Sequence, residues 1–188
     1  MIVRISIASL ALLALCACGQ GAPAPSEPSN AASAARSAQM QTATPAPQFA
    51  ARAAMFENYQ IQAAQIAQQS AQSNAAKTYA AASLAEHQAT LQQLNGAVQA
   101  AGMPAQSSAL DENYNAYLDM LRHASAQNFD AIYASQQTLA YMSASGLYDS
   151  FTTTAPDSPL KQWAQSQSPH VHDGISAART LARNLNGR

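Results

Sequence analysis

In the stretch "SLAEHQATLQQL", Leu84, His87, Leu91, Leu94 and Val98 recur at helical spacing, so a histidine holds one place in an apolar seam. An imidazole inside a helical core either ligates a metal or hydrogen-bonds to a buried partner. In a helical bundle the metal chemistry would be a carboxylate-bridged di-iron centre. That centre needs a glutamate from each of two helices and Glu-x-x-His from two others, because a spacing of three aligns two ligands on one face. No Glu-x-x-His occurs in the chain. Glu86 and His87 are adjacent and diverge by about 100° on a helix, so they do not share one inward site. The carboxylates available to His87 are Glu57, Glu86 and Asp119.

Two further constellations carry ligand-type side chains. Asp119 and His123 sit four apart and form either a local ion pair or a metal clip; the ion pair is the expectation. In "SPHVHD", His170 and His172 face nearly opposite ways on a helix and chelate together only where Pro169 unwinds the chain. For His87 the expectation is a core histidine with a hydrogen-bond partner, no cofactor and no bound metal. His87→Leu is then neutral or stabilising by up to about 1–2 kcal/mol. Bound iron, zinc or manganese, lost in that variant, is the alternative outcome.

Nucleophilic and phosphate chemistry find no support. The chain has no G-x-S-x-G elbow, no Gly-rich phosphate loop and no C-x-x-C-H for haem. Tyr114, Tyr117, Tyr133, Tyr141 and Tyr148 either fill an alanine-rich core or line a groove for an apolar ligand or partner helix. Core filling is the expectation. Charged residues make up only 10% of the chain and the formal net charge is −1, which gives no electrostatic basis for nucleic-acid binding.

The elements that must position these residues begin after a targeting segment. Met1–Arg4 supply a small positive start and "ISIASLALLAL" an apolar run of signal-peptide length, short of the roughly 20 residues that span a bilayer. "LCACG" resembles a bacterial lipobox, with Leu15 three residues before Cys18 and Ala17 just before it. The resemblance implies a signal peptide over 1–17. It also implies diacylglycerol on the Cys18 thiol and an acyl chain such as palmitate on its amine. At about 0.8 kcal/mol per buried CH₂, several chains together anchor firmly. Gly19 lacks the aspartate that retains such proteins in the inner membrane, so the outer membrane, facing the periplasm, is expected. Cys16 leaves with the signal, and the mature domain holds no disulfide.

Residues 18–47 hold five of the nine prolines and almost no large apolar group. Such a segment cannot bury enough surface to fold, and as flexible coil it averages roughly 30 Å end to end. Residues 48–186 read as the folded domain, all-α, an antiparallel up-down four-helix bundle. The first helix runs from about Phe49 to Gln69 and turns Phe49, Phe56, Tyr59, Ala63 and Ile66 inward. Ser73 or Asn74 caps the second helix, which Gly102 and Pro104 stop. "SALD" reads as a capping box opening a third helix that continues, with a wobble near "HASAQN", to about Ser145. Ser158 caps the fourth helix, Pro159 fits its first turn, and Pro169 kinks it.

These motifs resemble the DUF4142 family, bacterial envelope domains of unknown function with a ferritin-like bundle. "FDAIY" repeats the family's F-D-x-x-Y in Phe129, Asp130 and Tyr133. "NAAKTYA" is similar to V-K-x-F-A, and "LAEHQ" to V-x-D-H with His87 kept. "LKQWAQSQSP" is similar to L-K-x-F-A-x-x-x-L-P, with Trp163 for Phe and Pro169 kept. Three polar positions depart from the pattern: Gln60 stands for a glutamate, Tyr141 for a histidine and Gly174 for a histidine. The resemblance therefore implies the fold but carries no metal site. The expected function is that of a non-enzymatic envelope lipoprotein, meeting the membrane through its lipid and an envelope protein partner through its bundle. The alternatives are a divergent ferritin-like metal or oxidative-stress protein and a small module for a hydrophobic ligand.

Overall fold

A computed structural model describes residues 44–186. The expected signal peptide, Cys18 and the linker up to residue 43 lie outside the described residues. Those described are all-helical, with no strand: α1 Ala46–Ser70, α2 Asn74–Ala100, α3 Glu112–Arg122, α4 Ala126–Thr154 and α5 Pro159–Asn186.

The helix ends follow from local chemistry, with three corrections, the first being that the stretch expected to end near Ser145 stays helical through Gly146 to Thr154. Ser73 caps α2, its Oγ accepting from the Ala76 N–H at 3.1 Å. At the other end Gly102 takes φ +69°, and Met103 N–H donates to Val98 O at 3.1 Å, closing α2 in a Schellman motif. Ser158 Oγ accepts from Lys161 N–H at 3.1 Å and opens α5. The expected capping box at Ser108 does not form. Asp111 itself is the N-cap of α3, accepting from Tyr114 N–H at 2.9 Å, because a carboxylate at the cap serves the orphan N–H groups and the helix dipole together. The expected wobble near "HASAQN" is a full break between Arg122 and Ala126, so the single third helix is two helices. The break lets α3 carry its own buried stripe of Leu118 and Leu121 and pack against both α1 and α4. Pro169 stands inside α5, and its missing N–H forfeits the hydrogen bond to the Gln165 carbonyl.

The four long helices form a ring of contacts, α1 against α2 and α4, and α5 against those same two. Small side chains allow the close approach: Ala50, Ala53, Ala54, Ala63, Ala64 and Ala67 of α1 are all fully buried. Aromatic rings fill the space that alanine leaves. Phe49 stacks on Phe151 with centroids 3.9 Å apart and meets Tyr148 and Trp163 edge-on.

The role of "FDAIY" is architectural. Phe129 and Tyr133 are buried, while Asp130 reaches across to the α1–α2 turn. Its Oδ1 accepts from Gln72 N–H at 2.9 Å and its Oδ2 from Ser73 N–H at 2.8 Å. One carboxylate thus satisfies two backbone donors at the start of α2 and ties α4 to that turn.

Candidate functional site: a buried carboxylate–imidazole–phenol relay

His87 faces inward from α2, as its seam position requires, and is 3% exposed. Its Nδ1 lies 2.6 Å from Glu57 Oε2 on α1, and its Nε2 lies 2.8 Å from the Tyr141 hydroxyl on α4. The other carboxylate oxygen, Glu57 Oε1, accepts from Tyr148 OH at 3.5 Å. Tyr148 donates to one Glu57 oxygen, and a carboxylate accepts on the other as well. We therefore assign the proton to His87 Nδ1, which donates to Glu57, and leave Nε2 to accept from Tyr141. Phe56 closes the group, its ring edge-on to both His87 and Tyr141 at 5.5 and 5.4 Å.

Burial pushes the Tyr141 phenol well above its ordinary range, and the neighbouring Tyr79, Glu86 and Glu57 add to the rise. Tyr148 is raised in the same way, first by burial and then by the Glu57 charge against which its hydroxyl sits. Both phenols therefore stay protonated and serve as donors.

The polar layer extends along the bundle. Tyr133, Gln137 and Tyr141 recur every four residues on α4, and Ser83 and His87 do so on α2. Gln60 and Gln137 are fully buried, and neither amide meets a hydrogen-bonding partner among the described residues. Beside this layer, between α2 and α5, a cavity of about 290 Å³ is lined by Tyr79, Ser83, Glu86, Tyr141, His170 and Asp173. Gly174 lies at the same wall, against the ring of Tyr141.

Of the expected metal candidates, only Glu57 and His87 come together, and they do so as a hydrogen-bonded pair. Both ring nitrogens of His87 are taken by side chains, so neither points a lone pair at an open site. Glu86 is exposed on the cavity rim. Asp119 and His123 form neither the expected ion pair nor a clip. The Asp119 carboxylate pairs with Arg122 at 2.7 Å, while His123 Nδ1 lies 2.8 Å from the Asp119 backbone carbonyl; the C-cap geometry at His123 turns its ring to the helix end. His170 and His172 part as helical spacing demands: His170 faces the cavity, and His172 Nε2 bonds Asp149 Oδ1 at 3.0 Å. Among the described residues, no group of three or more His, Cys, Asp or Glu is placed to hold a metal ion. The donor set does not fit a carboxylate-bridged centre.

Sequence reasoning missed Tyr141 as the partner of His87, because it read that position as a lost histidine and as a core or groove aromatic, never as a hydrogen-bond donor to another helix. The spacing of four from Tyr133 through Gln137 to Tyr141 was the signal: it aligns three polar groups on one inward face. Tyr114 and Tyr117 do line a groove, a concavity of about 380 Å³ with Arg52, Phe56, Leu139 and Leu147, whereas Tyr133, Tyr141 and Tyr148 are core.

A family profile described as "Domain of unknown function (DUF4142)" matches residues 30–181. No curated protein and no solved structure matches the chain. No described helix is long and apolar enough to cross a membrane.

Proposed function

The chain belongs to the DUF4142 family, and from that premise we propose that it is a non-enzymatic envelope lipoprotein. The lipid on Cys18 anchors it at the outer membrane facing the periplasm. Residues 19 to about 45 hold the domain off the surface, and the bundle meets an envelope protein partner. In this reading the four long helices run up and down in the ferritin-like order, with α3 as an insertion between the second and third. The single observation that supports a bundle without metal chemistry is the closure of the relay. His87, a polar position of the family resemblance that this chain keeps, spends both nitrogens on Glu57 and Tyr141.

The anchor is tested by Cys18→Ser, which leaves unprocessed precursor and abolishes labelling by a fatty-acid analogue, whereas Cys16→Ser changes little. Labelling that persists in Cys18→Ser defeats the assignment. Cross-linking in intact envelopes then identifies the partner. Stoichiometric iron, zinc or manganese in the purified protein would replace this reading with the metal-binding one.

The tyrosine-lined concavity of about 380 Å³ favours one second reading, a binding module for a small apolar ligand. Native mass spectrometry of protein taken from the envelope decides it by a retained mass.

A further inference from the structure

The relay is a closed hydrogen-bond circuit, yet one of its members also faces a cavity. Tyr141 is 4% exposed, donates to His87 Nε2 at 2.8 Å, and forms part of the wall of the 290 Å³ space between α2 and α5. A phenol is hard to oxidise alone, because removing an electron without removing the proton creates a strongly acidic radical cation. A base in hydrogen-bond contact removes that obstacle. His87 is such a base, and its position is fixed, since Glu57 holds Nδ1–H and keeps the Nε2 lone pair turned to Tyr141.

We propose that Tyr141 is a redox-active tyrosine, oxidised by a diffusible one-electron oxidant of the peroxyl-radical class that enters the cavity beside it. In this step the Tyr141 O–H bond breaks. Its proton passes to His87 Nε2, and its electron passes to the peroxyl radical, which takes a solvent proton and leaves as a hydroperoxide. The products are a neutral tyrosyl radical and an imidazolium facing the Glu57 carboxylate, so no uncompensated charge is left in the core. A thiol-class or ascorbate-class reductant returns the electron, and the proton moves back from Nε2 to the phenol. Burial among Phe56, His87 and Gly174 keeps the radical from coupling with another chain.

Tyr79 shares the cavity and provides the internal control. Its hydroxyl stands close enough to that of Tyr141 to ease ionisation slightly against the larger rise from burial, but the geometry falls short of a hydrogen bond. It has no histidine to take its proton.

The test exposes the full-length chain in detergent to peroxyl radicals from a water-soluble azo initiator, with freeze-quenched samples read by electron paramagnetic resonance. The wild-type chain is expected to give a tyrosyl signal that narrows in D₂O, because the proton held by His87 is exchangeable and couples to the radical. Tyr141→Phe keeps the ring and its packing; it should lower the radical yield several-fold, while Tyr79→Phe leaves it nearly unchanged. An undiminished yield in Tyr141→Phe, a loss in Tyr79→Phe, or a wild-type signal insensitive to D₂O each overturns the proposal.

Discussion

Gly174 of α5 lies directly against the ring of Tyr141 of α4, so close that a β-carbon at 174 would overlap the ring atoms Cδ1, Cε1 and Cζ. Two residues on facing helices, Tyr141 and Gly174, are therefore in contact. A large ring stands on one helix, and on the facing helix there is no side chain to collide with it. The same ring carries the hydroxyl that completes the relay with His87.

That contact makes a direct prediction. Gly174→Ala inserts a methyl group into an occupied space and should destabilise the domain by about 1–3 kcal/mol, although alanine has the higher helix propensity. Tyr141→Leu frees the space, so the alanine should cost far less in that background. A double-mutant cycle by chemical denaturation checks this. Additive effects would show that the ring yields elsewhere.

The Glu57–His87 pair reverses the expectation drawn from the seam alone. A lone core histidine can be replaced by leucine at little cost, but here the change would leave a buried carboxylate with only the long contact to Tyr148. His87→Leu is therefore expected to destabilise by about 3–5 kcal/mol. Replacing both members, Glu57→Met with His87→Leu, should recover most of that loss, because no charge remains buried. Thermal unfolding of the two variants decides between these values, and a neutral His87→Leu would mean that Glu57 finds another partner.

Asp130 offers a third test. It holds two backbone N–H groups of the α1–α2 turn with one carboxylate. Asp130→Asn presents a donor to one of them and should cost about 1–3 kcal/mol, with amide exchange rising first at Gln72 and Ser73. Uniform exchange across the chain would remove the local role assigned to this side chain.

How far the residues foretold these features depends on the distance over which each is decided. The caps at Ser73 and Ser158 and the turn at Gly102 were legible because the partner lies within a few residues. The inward face of His87 was legible from the 3.6-residue period. Its partners were not: Glu57 and Tyr141 lie 30 and 54 residues away, and periodicity on one helix carries no information about which residue of another stands opposite. The break after Arg122 was read too weakly, because alanine and serine at 124 and 125 are compatible with helix. Only the burial of Leu118 and Leu121 against other helices requires the chain to stop and turn there.

The tyrosines yield the last prediction, a stability that fails on the alkaline side. Six phenols, Tyr59, Tyr79, Tyr114, Tyr133, Tyr141 and Tyr148, are all raised above the ordinary value of 10.0, burial being the first cause in each. Below that value both folded and unfolded chains hold these protons, and the groups contribute no slope. Above it the unfolded chain releases protons that the folded chain keeps, so stability falls as pH rises. Each such phenol contributes about 1.4 kcal/mol per pH unit once the unfolded form is ionised. Several acting together make the transition steep and place it little more than a unit or two above the ordinary phenol value. Following phenolate absorbance and helical circular dichroism in one alkaline titration checks this. Most phenolate should appear together with the loss of helix, and phenolates that form in bulk while the helical signal is intact would show that water reaches these rings in the folded chain.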